Sequence, residues 1–387
     1  MNLFGDDIQD ELDQETDLTA DDANALHNGE VQPKDNALCF GHHMQEEGLL
    51  KLYHADKMPH ALIFAGAEGI GKLTFAYRAA RFLLAQDITD PNQNALFGPA
   101  ESEPVNSMDV DPDHPTFRRI AAGGHSDFKI VDRLYDDAKG RKKDSVEVTE
   151  IRKVAPFLRM TAAEGGWRVV IINDADTMNR SSQNAILKIL EEPPENTLLI
   201  LIAHRPGALI PTIRSRARVI NFQPLSLEDF QALLQRYGHH LGHSEALALY
   251  TLSESSIGRA LELIDKGGLD VMGKVITMFE DYPEWRYSQI HVVAEDLARP
   301  GNSHSFAMFQ SVMLWIARQL TVAKARGRDL PAGPLSSLDL FDTMIQNSSL
   351  ERLMRLCDVL QGHFDTVNRG NLEKRQAVLK AFSIFTA

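Results

Sequence analysis

Ala61-Leu62-Ile63-Phe64-Ala65 runs directly into Gly66-Ala67-Glu68-Gly69-Ile70-Gly71-Lys72. From Leu73 to Ala85 the residues Phe75, Ala76, Ala79, Ala80, Phe82 and Leu83 then recur at helical spacing. A buried strand, a glycine-rich turn and an amphipathic helix form the context in which GxxxxGK becomes a phosphate-binding loop. Glycines allow successive backbone N–H groups to curl around a phosphate. The helix N-terminus adds its dipole and the lysine its charge. The next position normally carries a Ser or Thr hydroxyl for Mg²⁺, and here it is Leu73. Thr74 cannot take over, because one residue along a helix rotates the side chain by about 100°. A glycine-rich strand-to-helix turn that binds nothing would carry the same letters. The stretch therefore predicts the shape of a phosphate loop through Gly66, Gly69, Gly71 and Lys72, while ATP or ADP binding stays open.

Downstream, Val148, Ile151, Val154, Ala155 and Leu158 predict a helix that Gly165-Gly166 ends. Val169-Val170-Ile171-Ile172, Leu198 to Ile202 and Val219-Ile220 read as strands, the first typical of burial on both faces. A helix from Ser181, with Ala185, Ile186, Ile189 and Leu190 inward, is closed by Pro193-Pro194. Strands alternating with helices give an α/β parallel sheet of the P-loop NTPase type. After Pro224 the strands stop. Three short helical patterns between Leu225 and Lys266 predict a small lid, and longer helices follow, with one apolar stripe at Phe306, Phe309, Met313, Ile316 and Leu320. Stripes of this kind are helix-packing core. The expected division is an acidic disordered tail over 1–36, an α/β domain over 37–223, a helical lid over 224–268 and an all-helical collar over 269–387. Residues 87–145, rich in Pro, Gly, Asn, Asp and Ser, read as irregular and include the basic cluster Lys139 to Lys143.

The net charge of −14 over 387 residues is uneven. Residues 1–36 hold eleven acidic side chains and one basic, contributing −10 and leaving −4 for the body. Such a tail buries too little to fold alone, and a nearly neutral body does not suit a general nucleic-acid coat. Two cysteines, Cys39 and Cys357, provide neither a disulfide framework nor a four-cysteine zinc site. The histidines His114 and His125 lack partners at ligand spacing, so no metal is assigned. No apolar run is long enough to span a membrane, and the expected location is the cytoplasm.

Hydrolysis by such a fold needs a strand-end carboxylate for Mg²⁺, followed by an acid that activates water. The sequence offers Ile171-Ile172-Asn173-Asp174-Ala175-Asp176. One register puts Asn173 at the metal position and Asp174 at the base. The other makes Asp174 the metal ligand and leaves Ala175 as the base. Either way one acid is missing, which predicts a cleft that has lost hydrolysis. Further on, Arg214, Arg216 and Arg218 alternate with small residues ahead of the last strand. In extended geometry all three would project one way, a fork of fixed charges suited to phosphate supplied from outside the chain.

Four stretches then line up with one family: His60 to Lys72, Glu164 to Ile172, Asn184-Ala185-Ile186-Leu187-Lys188-Ile189-Leu190-Glu191-Glu192-Pro193-Pro194, and Pro211 to Arg216. They resemble the delta-prime family of bacterial DNA polymerase III clamp-loader subunits, and more distantly the gamma/tau ATPases and the AAA+ class. The resemblance covers about residues 38–265. It implies a place beside gamma/tau and delta subunits in a five-membered arc that loads the beta sliding clamp onto primer-template DNA. It also implies that Arg216 acts as an arginine finger on ATP bound to the neighbouring subunit. Departures are Ala217 for the motif cysteine, no four-cysteine zinc module, His204 for threonine at the first sensor, and Gly258 with Arg259 one place off at the second. These favour a stator over a motor. The rival is a self-sufficient gamma/tau-type ATPase working through Lys72 and Asp174.

Overall fold

The computed structural model describes residues 32–86, 106–136, 141–299 and 303–386, apart from positions 38, 164–165, 328–329, 331–333, 337 and 371. The chain begins with helix α1 (His43–His54), strand β1 (Ala61–Ala65) and helix α2 (Lys72–Ala85). Next come α3 (Pro115–Ala121), β2 (Phe128–Val131), the two-residue strands β3 (Tyr135–Asp136) and β4 (Arg141–Lys142), α4 (Val148–Arg152) and α5 (Val154–Arg159). The sheet continues with β5 (Arg168–Ile172), α6 (Arg180–Glu191), β6 (Thr197–Ala203), α7 (Pro211–Arg214) and β7 (Arg218–Asn221).

The main sheet is parallel, in the order β2-β5-β6-β1-β7. Its central strands are apolar on both sides, and side chains alternate at period 2 between two cores. Ile63, Val170, Ile172, Leu199 and Leu201 face one core, against Ile186, Ile189 and Leu190 of α6. Leu62, Phe64, Val169, Ile171 and Ile200 face the other, against Phe75, Ala79 and Phe82 of α2. A one-residue slip of any strand would swap both sets.

Four sequence expectations change here. The stretch read as irregular over 87–145 contains α3 and a sheet strand, β2, whose parallel partner is β5. Edge position explains the miss, since Ile130 is 36% exposed and Lys129 interrupts the apolar pattern. The helix expected from Val148 to Leu158 is two short helices separated at Lys153. The three arginines do not share an extended run, because Arg214 ends α7 and Arg218 opens β7. Residues 1–31 of the acidic tail lie outside the described residues, but its last positions are held. Arg81, 2% exposed, donates to the carbonyls of Lys34 and Asn36 while its guanidinium lies 3.8 Å from the Phe117 ring centre. The basic cluster at 139–143 is described only from Arg141 onward.

After Phe222 every regular element among the described residues is a helix: α8 (Leu227–Arg236), α9 (His243–Leu252), α10 (Ile257–Asp265), α11 (Gly268–Phe279) and α12 (Tyr287–Ala298). They are followed by α13 (Ser303–Arg326), α14 (Asp339–Asn347), α15 (Leu350–Gly370) and α16 (Lys374–Thr386). One continuous apolar cluster runs from Leu225 and Phe230 to Phe382 and Phe385. Its densest knot surrounds Phe279, whose ring lies 5.3 Å from Trp285, 5.3 Å from Phe341, 5.8 Å from Phe382 and 4.9 Å from Phe385.

Candidate nucleotide-type cleft

The carboxyl ends of β2, β5, β6 and β1 all open on one cleft of about 360 Å³, roofed by α8 and α10. Clefts at that end of a parallel sheet are where ligands bind in such folds. The loop after β1 needs its glycines for stated reasons. Gly66, Gly69 and Gly71 have φ of +158°, +74° and +93°, values an L side chain rarely adopts. A Cβ on Gly66 would stand 2.6 Å from the Phe222 carbonyl, and one on Gly69 only 1.8 Å from Ser256 Oγ. The roof therefore touches the loop directly. Ser256 is also the N-cap of α10, its hydroxyl accepting from Arg259 N at 3.2 Å.

His42, absent from the sequence argument, pins the same loop. Its Nε2 donates to the Ile70 carbonyl at 2.7 Å, and its ring meets Phe75 and Phe222 edge-on. Burial lowers its pKa, against the pull of that hydrogen bond, which favours the charged form.

Lys72 is 3% exposed and turned back into its own loop. Its ammonium donates to the Gly66 carbonyl at 2.8 Å, to the Ala67 carbonyl, and to His204 Nδ1 at 3.0 Å. His204 Nε2 in turn meets Asp174 Oδ1 at 2.8 Å, and Arg133 Nε donates to Asp174 Oδ2 at 2.6 Å. The contacts fix one tautomer: Nδ1 accepts from Lys72 and Nε2–H donates to Asp174. The four side chains thus form a line of hydrogen bonds that follows the strand order of the sheet. Backbone register delivers its end. Val131 pairs with Ile172, so Arg133 and Asp174, each two residues further on, stand abreast.

The electrostatics follow. Burial would push the Asp174 carboxyl up, but the His204 hydrogen bond and the Arg133 charge outweigh it and hold the pKa below the ordinary range. Burial pushes Lys72 down to about 8, against the pull of Asp176, Glu68 and Asp174. Unfolded, the lysine keeps its ordinary value near 10.5, so between about pH 8 and 10.5 the unfolded chain binds more protons and stability rises with pH. The expected result is a stability that climbs across that window in the native chain and stays flatter in Lys72→Met. Denaturant titrations at pH 8, 9 and 10 would measure it, and parallel curves would refute the assignment.

Asp176 is buried and accepts from the backbone N–H groups of His204 and Arg205 at 3.1 Å each, tying the end of β5 to the end of β6. It is a brace of the cleft that the sequence reading passed over. Leu73, Asn173 and Gly258 line the cleft, whereas Arg259 pairs with Glu254 at 3.5 Å. The donor set does not fit Mg²⁺: the Leu73 side chain has no oxygen, Asn173 brings an amide, and each oxygen of Asp174 already accepts a hydrogen bond. No cluster of three or more His, Cys, Asp or Glu able to hold a metal occurs among the described residues. No helix among them is long and apolar enough to cross a membrane.

Arg216 does not line this cleft. It sits half-exposed after α7, donating through Nη1 to the Thr212 carbonyl at 3.2 Å and pairing through Nη2 with Glu191, at the end of α6, at 3.2 Å. Arg214 and Arg218 are exposed on either side of it.

Residues 41–226 match the family described as DNA polymerase III, delta subunit. The DNA polymerase III subunit delta' of Pseudomonas aeruginosa is 32% identical over 157 residues, 41% of either chain. The delta' subunit of Escherichia coli is 30% identical over 217 residues, 56% of this chain and 58% of that one. The tau subunit of the same organism is 29% identical over 226 residues, 57% of this chain and 31% of tau. The chain thus spans about half the length, or less, of these relatives. In each, the similarity is to part of the protein.

Proposed function

We propose that this chain, whose residues 41–226 match the DNA polymerase III delta-subunit family and resemble delta' subunits, serves in a clamp loader as a subunit that does not hydrolyse ATP. In this reading it assembles with gamma/tau and delta subunits, helps place the beta sliding clamp on primer-template DNA, and lends Arg216 to ATP held by a neighbour. The collar would be the all-helical region that follows the lid.

The observation that carries the reading is the self-satisfied line Lys72–His204–Asp174–Arg133. A hydrolytic cleft needs Asp174 open to a metal and Lys72 open to phosphate. Here both groups are engaged with the protein itself, and the guanidinium that could serve a triphosphate stands outside, at Arg216. The rival, a gamma/tau-type ATPase, must break that line on every turnover.

Two measurements separate them. The purified chain alone is expected to show no Mg²⁺-dependent ATP turnover above that of Lys72→Ala. In a reconstituted complex, Lys72→Ala is expected to leave DNA-stimulated turnover within about twofold of wild type, roughly 0.4 kcal/mol in barrier. Substantial turnover by the chain alone, abolished by Lys72→Ala, would establish the rival.

A further inference from the structure

The misfit between this cleft and a divalent cation has a specific agent. Arg133 arrives from the edge strand β2, abreast of Asp174 on β5, and its Nε lies 2.6 Å from Asp174 Oδ2. The ion pair is largely buried, with the arginine side chain 26% and the aspartate 7% exposed. We infer that Arg133 is a resident counter-cation that takes the charge-neutralising role of a metal at Asp174 and keeps the cleft from acquiring divalent-cation affinity.

The chemistry supports this. A carboxylate at a strand end, facing a polar cleft, is the minimal anchor for Mg²⁺ or Mn²⁺, which bind through one or two carboxylates and keep several waters. Asp174 faces the cleft beside the neutral Asn173 amide, so a cation held there would rest on this one carboxylate and water. A guanidinium supplies the same positive charge with a fixed direction and no dissociation. His204 meets the other Asp174 oxygen as a hydrogen-bond donor while its Nδ1 faces Lys72, so the fixed positive charge at this carboxylate is that of Arg133. With Arg133 removed, Asp174 keeps one hydrogen bond and becomes a buried carboxylate short of a countercharge, a costly arrangement that a divalent cation relieves. The inference rests on Asp174 standing at the metal-carboxylate position, as in the functional reading above.

The test uses the full chain and Mn²⁺ alone as the probe, read by thermal unfolding. Wild type is expected to show no midpoint shift with millimolar Mn²⁺ beyond that of Asp174→Asn, which accounts for weak binding by the acidic tail. Arg133→Gln is expected to melt about 3–5 °C lower than wild type, to recover at least half of that loss with Mn²⁺, and to lose the recovery when Asp174→Asn is added. Arg133→Met, which keeps the bulk of the stem, should respond likewise if the glutamine variant does not fold. Arg133→Lys, which keeps the charge, should not respond. The inference is overturned if Mn²⁺ stabilises wild type through Asp174, or if the neutral Arg133 variants gain nothing from it. No partner subunit is involved, so a negative result would leave the Arg216 assignment standing, and the converse also holds.

Discussion

Arg216→Ala is expected to lower the DNA-stimulated ATP turnover of a reconstituted clamp loader by about 10³-fold or more, the range for loss of an arginine finger. Folding and assembly should be unaffected. The side chain is half-exposed and makes only a surface pair with Glu191 and one carbonyl contact. Exposed pairs of this kind contribute about 0–1 kcal/mol, so circular dichroism and the thermal midpoint should scarcely move. The effect is tied to the planar fork: lysine retains the charge and loses bidentate geometry, and Arg216→Lys should recover little. Arg214→Ala and Arg218→Ala provide the contrast, because these residues end a helix and open a strand and so do not continue one extended run with Arg216. Steady-state turnover with primed DNA and clamp present measures all four. Undiminished turnover in Arg216→Ala, in a complex shown to be complete, would remove this residue from the mechanism.

Phe279→Ala should have the largest effect on stability. The ring is fully buried and ringed by Trp285, Phe341, Phe382 and Phe385. These come from the loop before α12 and from α14 and α16, three elements that no short local contact could hold together. Truncating a buried phenylalanine costs about 3–5 kcal/mol, part of it from the cavity left behind. Denaturant unfolding followed by tryptophan fluorescence is the measurement, since Trp285 and Trp315 both lie in the same apolar cluster. The helical transition should move to clearly lower denaturant. A shift worth under 1 kcal/mol would mean that the knot is not what unites these helices.

What the sequence disclosed depended on how local each signal was. The loop Gly66 to Lys72, the doubly buried strands β1, β5 and β6, and the capped, proline-closed α6 each announce themselves within a dozen residues. Both departures from the usual hydrolytic pattern, Leu73 and Asn173, were visible for the same reason. Arg133 was not. It follows a four-residue edge strand with a lysine in its middle, and its importance comes from register with a strand about forty residues away. His42 and Asp176 were likewise hidden, because each acts on another segment's backbone rather than through a pattern of its own. The alternation of Arg214, Arg216 and Arg218 misled for the opposite reason: spacing of two suggests a strand, but Pro211 at a helix N-terminus starts a turn of helix first.

The contact between Gly69 and Ser256 gains meaning from the core behind it. Ser256 caps a helix whose Ala260 and Leu263 are embedded in the same hydrophobic mass as Phe364 and Phe382, far along the chain. A close-packed core of this extent transmits strain rather than absorbing it. Strain applied to the distal helices therefore has a packed route to Ser256 and the turn it touches. Through one serine, the turn at Gly69 is tied to the far end of the helical region.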